Sequence, residues 1–260
     1  MIGGFETALG PELWLAAAAV LLLAGVTQGA LGFGFPAIST PLLVLMFDVK
    51  TAIILNLLPN FTVNLISILR GGNWKDSLGT YWPVAVYTLI GAFIGAAFLI
   101  LAPQEPIRLL LALMIFAYLY QQQLAKLDWS WLTRYPRGAA GVFGLTAGFF
   151  SGSVNNSLPP LLIYFMLLGV EATVMTQILN LCFIGGKVVQ AATLGAAGEI
   201  RVTAALANIP LTLVALAGMG LGLALQKRIS AQTYNRILRR VLLLIALLLV
   251  GQSLWGWFLR

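Results

Sequence analysis

The chain has 260 residues, of which 60% are hydrophobic and 9% charged, with a net charge of +7 and no histidine. In a soluble protein that charge would point to nucleic acid, but here the basic residues sit in short loops between long apolar stretches, as in the cytoplasmic loops of membrane proteins. Without histidine or clustered carboxylates, histidine-based catalysis and the usual metal sites are excluded, and neither a cofactor nor a catalytic residue is expected.

The apolar segments fall at 13–33, 36–47, 51–70, 81–101 and 107–123, and then at 138–152, 158–169, 172–195, 203–225 and 235–258. Each half thus holds five, and the second of each five is short. Twelve helical residues reach about 18 Å, less than a bilayer core of about 30 Å. No Lys or Arg occurs in the first 49 residues, so the first segment is expected to be retained and not removed as a signal peptide. Between the halves, residues 126–137 mix Asp128, Arg134 and Arg137 with Trp129, Trp131 and Tyr135, a composition suited to a membrane surface. The expected organisation is a first membrane repeat at 1–125, a basic cytoplasmic linker at 126–137 and a second repeat at 138–260. Cys182 is alone, so it forms no internal disulfide and reads as a small hydrophobe.

Loop charges choose the topology. If all ten segments reverse the chain, Arg70, Lys75, Lys126, Arg134, Arg137, Lys227, Arg228, Arg236, Arg239 and Arg240 share one side. Lys50, Arg108, Arg201 and Arg260 share the other, ten against four. If the short segments are ignored the count is seven against seven. The Lys and Arg bias therefore favours ten reversals, with both termini non-cytoplasmic. Five segments per half make the second copy enter from the opposite face. The fold class expected is an all-α polytopic membrane protein of two inverted-topology repeats, five helical segments each. The first two segments of each repeat suit a short or re-entrant hairpin.

A passage occurs twice. Gly25, Thr27 and Gly29 recur 119 positions later as Gly144, Thr146 and Gly148, and Pro41-Leu42-Leu43 recurs as Pro160-Leu161-Leu162. Pro83, Gly91 and Gly95 recur as Pro210, Gly218 and Gly222, with an offset of 127. Two sets that keep their internal spacing indicate duplication. Each copy passes through a polar, turn-rich tip, the first with Gly32, Gly34 and Ser39, the second with Ser153, Asn155, Asn156 and Ser157. Glycine opens backbone conformations closed to other residues, while Asn, Ser and Pro favour helix starts. Each tip reads as a break followed by a new helix N-terminus, whose unpaired N–H groups and partial positive charge attract anions. The bland alternative is close packing by small residues.

Lys187 is the one charge well inside an apolar segment, by default a functional-site candidate. Gln177, Asn180 and Gln190 lie on its helix, and the matching helix carries Asn56, Asn60 and Asn64 four apart on one face. The substrate-binding candidates are accordingly Gly32, Gly34, Ser39, Asn60, Ser153, Asn155, Asn156, Ser157, Gln177, Asn180 and Lys187. Amides that merely bond helices together and a Lys187 that snorkels are the structural alternatives.

The Gly-rich passage leading to Pro41, its counterpart Gly148-Phe-Phe-Ser-Gly-Ser before Pro160, and the weak twofold repeat resemble the TauE/SafE family of sulfite exporters over nearly the whole chain. The resemblance implies a prokaryotic inner-membrane carrier of small anions, sulfite and organosulfonates such as sulfoacetate among them. Members commonly carry a Gly-Gly pair in the first passage; here the chain reads Gly32-Phe33-Gly34, so the resemblance carries no particular substrate. The expected function is export of a small sulfur oxyanion by alternating access. Import of the same anions, or carriage of another organic anion, is the alternative. A Ser151–Lys187 intramembrane hydrolase and a lipid-handling scaffold are the competing classes; a scaffold would keep its polar residues at the interfaces. The expected partners are the anion and the bilayer, with no nucleic acid, and a homodimer is left open.

Overall fold

The computed structural model describes residues 10–71, 74–200, 202–226 and 231–258. Among them the chain forms twelve helices and no strands. The first half holds α1 (Pro11–Leu31), α2 (Phe35–Met46), α3 (Val49–Gly71), α4 (Trp74–Leu101) and α5 (Gln104–Leu119). Two short helices, α6 (Gln121–Leu124) and α7 (Ser130–Arg134), lie between the halves. The second half holds α8 (Pro136–Val154), α9 (Leu158–Leu167), α10 (Ala172–Ala196), α11 (Val202–Leu225) and α12 (Ala231–Phe258). Among the described residues, five stretches are long and apolar enough to cross a membrane: Pro11–Leu31, Val49–Gly71, Gly79–Leu101, Ala172–Ala196 and Asn208–Leu225. The protein is an all-α polytopic membrane protein, and α2 and α9 are the two short segments the apolar pattern predicts.

Close helix contact follows from glycine. A Cβ on Gly25 or Gly29 would lie 2.2 Å from the main-chain oxygen of Ala215 or Met219 in α11, and one on Gly218 or Gly222 would meet Leu22 or Val26 of α1 equally closely. The same seam joins α4 to α8, where a Cβ on Gly148 would lie 2.2 Å from the oxygen of Thr88 and one on Gly152 2.1 Å from that of Ala92. No side chain fits between these backbones. In lipid, where apolar burial drives little association, such packing supplies the attraction. In both seams residue numbers rise together along the two helices, so α1 runs parallel to α11 and α4 parallel to α8.

Other contacts fix the remaining directions. Gly71 lies against Gln177, Asn64 reaches Asn180 through Gln28, and Lys50 pairs with Glu199 at 2.8 Å, so α3 and α10 run antiparallel. Ser253 donates to the Glu105 carbonyl at 3.2 Å and Arg239 to that of Leu119 at 2.6 Å, so α5 and α12 also run antiparallel. Asn56 reaches Ser39 and Thr40, which turns α2 back alongside the first half of α3. The chain reverses at α9 as well, since otherwise α3 and α10 would be parallel.

The seams set a register different from the one the repeated residues suggest. Gly25 and Gly29 occupy in their seam the positions that Gly148 and Gly152 occupy in theirs, an offset of 123 and not 119. The left-handed caps agree, Gly32 at φ 82° and Asn155 at φ 60°, as do the starts of α2 and α9 and of α3 and α10. The offset of 127 between α4 and α11 stands. Glycines spaced four apart look alike after a slip of one turn, so the sequence pattern alone does not distinguish the two registers.

The short helices sit on an aromatic cluster. Trp131 stacks on Phe143 with ring centroids 6.3 Å apart, Phe143 meets Tyr164 at 5.2 Å, and the Trp129 indole donates to the Leu124 carbonyl at 2.8 Å. Asp128 accepts the Ser130 main-chain N–H at 2.9 Å, which holds its carboxyl below the usual value.

Replacing Gly148 by Ala is expected to lower stability by about 1–3 kcal/mol through overpacking, whereas Gly220→Ala, open to space on α11, should be neutral or mildly stabilising. Thermal unfolding of the two variants in detergent checks this; equal melting temperatures would contradict the seam.

Candidate functional site

The first break lies between α1 and α2. Gly32 and Gly34 both take positive φ, at 82° and 104°, which lets the chain turn back within three residues. The second break lies between α8 and α9, where Asn155 takes the left-handed conformation in place of glycine, a role Asn tolerates better than other side chains. The second tip is buried inside the protein and the first is half-buried at Gly32 and Phe33, and the two meet one another. Asn155 Nδ2 donates to Thr40 Oγ1 at 2.6 Å, and Asn60 Nδ2 donates to Asn155 Oδ1 at 3.3 Å.

From this meeting point a chain of amides extends along α3. Asn56 donates to Ser39 Oγ at 2.8 Å and Thr40 Oγ1 at 2.7 Å. Asn64 donates to Asn60. Gln28 then gathers the first tip and two helices. Its Nε2 lies within 3.2 Å of the Gly32 carbonyl, Asn64 Oδ1, Ser67 Oγ and Asn180 Oδ1, and its Oε1 accepts the Phe35 N–H at 3.1 Å. Asn180 Nδ2 donates to the Gly32 carbonyl at 2.9 Å. Asn56, Asn60, Asn64, Gln28 and Asn180 are all fully buried. Burying so many amides is tolerated because they satisfy one another; Asn56 Oδ1 has no partner among the described residues.

Lys187 is the one buried Lys or Arg among the described residues, 3% exposed. It donates to Gln190 Oε1, and Gln190 Nε2 donates in turn to the main-chain oxygens of Ser151 at 3.3 Å and Gly152 at 2.7 Å, at the end of α8. Lys187 also borders a cavity of about 380 Å³ between α3, α10 and α11, walled by Leu57, Phe61 and Ala191 and edged by Asn208.

Of the eleven residues the sequence singles out, Gly32, Ser39, Asn60, Asn155 and Asn180 therefore share one network. Lys187 touches the end of the second broken helix through Gln190. Asn156 accepts from the Leu158 N–H at 3.4 Å within its own tip, and Ser153 is turned back onto the Phe149 carbonyl at 2.7 Å. Gly34 and Ser157 stand at the N-cap positions of α2 and α9, where Ser157 makes no capping bond. Gln177 packs on Gly71, beyond the end of the network. Gln28, Thr40, Ser67 and Asn208 are additional polar residues of this interior.

The tips offer fewer main-chain donors than a bare helix start. Pro36, Pro159 and Pro160 carry no N–H, the Phe35 N–H is taken by Gln28, and that of Leu158 by Asn156. Recognition of an anion would fall mainly to side-chain amides and the ammonium of Lys187.

These features define a polytopic membrane protein with two broken helices meeting around a buried polar centre. The chain matches the family model of sulfite exporter TauE/SafE over residues 17–249. It belongs to that family of membrane anion transporters. No curated protein and no solved structure matches it.

Because Asn155 sits at φ 60°, Asn155→Gly is expected to keep the tip's backbone and lose only the bonds to Thr40 and Asn60, while Asn155→Ala adds strain of about 1 kcal/mol. Chemical or thermal unfolding of both variants would show Ala below Gly; the reverse order would contradict the assigned conformation.

Proposed function

We propose that the protein is a secondary transporter that exports a small sulfur-containing anion, such as sulfite or sulfoacetate, by alternating access between two inverted repeats in a prokaryotic inner membrane. The observation that carries this reading is the contact of the two tips through Asn155 and Thr40, with the one buried cation of the described residues linked through Gln190 to the end of α8. Antiparallel α3 and α10, and antiparallel α5 and α12, support the inverted relation. Asn60, Asn155 and Asn180, with Ser39 and Lys187, are the side chains we assign to the anion. Gln177, Ser153, Asn156, Ser157, Gly32 and Gly34 shape the tips and the helix behind them.

In this reading the anion sits between the tips with Lys187 as its charge partner. Buried as it is, that ammonium attracts a counter-charge far more strongly than a surface lysine would. Alternating access then exposes the centre first to one face and then to the other. An inside-negative potential drives an anion outward by about 2.3 kcal/mol per charge per 100 mV, which favours export. In this reading the segment around Arg137 lies in the cytoplasm and both termini lie outside, as the Lys and Arg bias of the loops favours.

Flux into proteoliposomes, measured for sulfite, sulfoacetate, sulfate and small carboxylates, tests the reading. Transport of at least one sulfur anion is expected, and transport of carboxylates alone would sink the cargo assignment. Lys187→Met should abolish anion binding while the protein still elutes as a folded species; unchanged affinity would remove Lys187 from the site. A cysteine placed at Arg137 in a Cys182→Ala background should label only from the cytoplasmic side, and labelling from outside would overturn the assigned orientation.

A further inference from the structure

The packing register pairs Gln28 with Ser151, Asn64 with Lys187 and Ser67 with Gln190, each pair 123 positions apart. In both halves these three positions join a broken helix to the third helix behind it. In the first half the long side chain belongs to the broken helix: Gln28 Nε2 donates to Ser67 Oγ at 2.9 Å and to Asn64 Oδ1 at 3.2 Å. In the second half it belongs to the third helix: Gln190 Nε2 donates to the Ser151 and Gly152 oxygens. Gln and Ser have changed places between the halves, and the link is kept. The second link is closely packed, since a Cβ on Gly186 would lie 2.3 Å from Ser151 Oγ.

The links differ in charge. Asn64 is neutral, whereas its counterpart Lys187 donates to Gln190 Oε1. Ser151 and Gly152 lie in the last turn of α8, where carbonyls have no partner within their own helix. Gln190 therefore caps α8 from α10 while Lys187 holds the other end of the same amide.

We propose that Gln190 is a positioning residue that couples occupancy of Lys187 to the second tip. An anion that takes the ammonium withdraws it from Gln190. The amide loses the bond that orients it, the cap on α8 loosens, and the tip at Asn155–Ser157 is freed. The first tip, tied by Gln28, Asn64 and Ser67 with no ionisable group, stays in place. The second tip is then the moving gate and the first the fixed one. This rests on the reading of Lys187 as the anion's charge partner.

The test places a reporter cysteine at Val154, in the last turn of α8, in the full chain with Cys182→Ala, and follows its reaction with a maleimide. Without anion, Gln190→Leu and Gln190→Glu should each raise labelling by about fivefold or more, since each removes the donor to α8. Sulfoacetate or sulfite should raise labelling in the otherwise unchanged protein and have little further effect in the Gln190→Leu variant. Binding of sulfoacetate should stay within about threefold for Gln190→Leu and weaken by about tenfold for Gln190→Glu, whose carboxylate competes for Lys187. A matching reporter at Leu31 should ignore the anion. The proposal is overturned if Val154→Cys labels alike with and without the Gln190 substitutions, or if the Leu31 reporter responds to anion as strongly as the Val154 one. The anion-free comparison reads the link even if no sulfur anion is carried, so failure of the transport reading shows separately, in the flux panel. Should Gln190→Leu not fold, as judged by gel filtration, Gln190→Glu supplies the same comparison.

Discussion

The structure depends on two glycine seams, in which backbones touch because no side chain stands between them. Leucine against lipid is as comfortable as leucine against leucine, so apolar character alone would not hold this chain in one arrangement. The seams do so by bringing α1 against α11 and α4 against α8. Each joins a broken helix of one half to a long helix of the other. The halves are thereby cross-braced, and both tips are held at the same place. A displaced seam would separate Asn155 from Thr40 and leave a row of buried amides without partners, each lost bond costing about 1–3 kcal/mol.

At that meeting point polar groups are abundant and charge is scarce. The amides of Asn56, Asn60, Asn64, Gln28 and Asn180 form a nearly self-satisfied chain, so an entering ligand must exchange bonds with them and not merely fill a gap. Lys187 is different in kind. When protonated it brings a full charge into a region of low dielectric, and its protein partner is a neutral amide, which leaves that charge unbalanced. An anion would supply that balance, and in our reading this asymmetry between the halves distinguishes the loaded from the empty state.

Much of the architecture was legible in the sequence because the bilayer imposes a length on each apolar run. The ten segments, the two short ones among them and the break at each tip followed from run length and from glycine, asparagine and proline. The register did not. Gly25 and Gly29 match Gly144 and Gly148 as readily as Gly148 and Gly152, and Thr27 with Thr146 tipped the pattern to the wrong turn. That slip hid Gln28, which aligns with Ala147 in one register and with Ser151 in the other. It also hid the pairing of Asn64 with Lys187. Lys187 itself stood out because a charge inside an apolar run is costly. Thr40 and Ser67 did not stand out, since hydroxyls can bond to their own helix and need no partner elsewhere. The proline-rich starts of α2 and α9 were readable as helix starts, but which N–H groups remained free depended on contacts that only the packing reveals.

The most direct test is a structure of the protein in lipid with sulfoacetate or sulfite bound. The account predicts the anion between the two tips, within hydrogen-bond reach of Asn155 or Thr40 and in contact with the Lys187 ammonium, with α3 and α10 crossing the membrane in opposite directions. An anion bound away from both tips, with Lys187 still on Gln190, would contradict it.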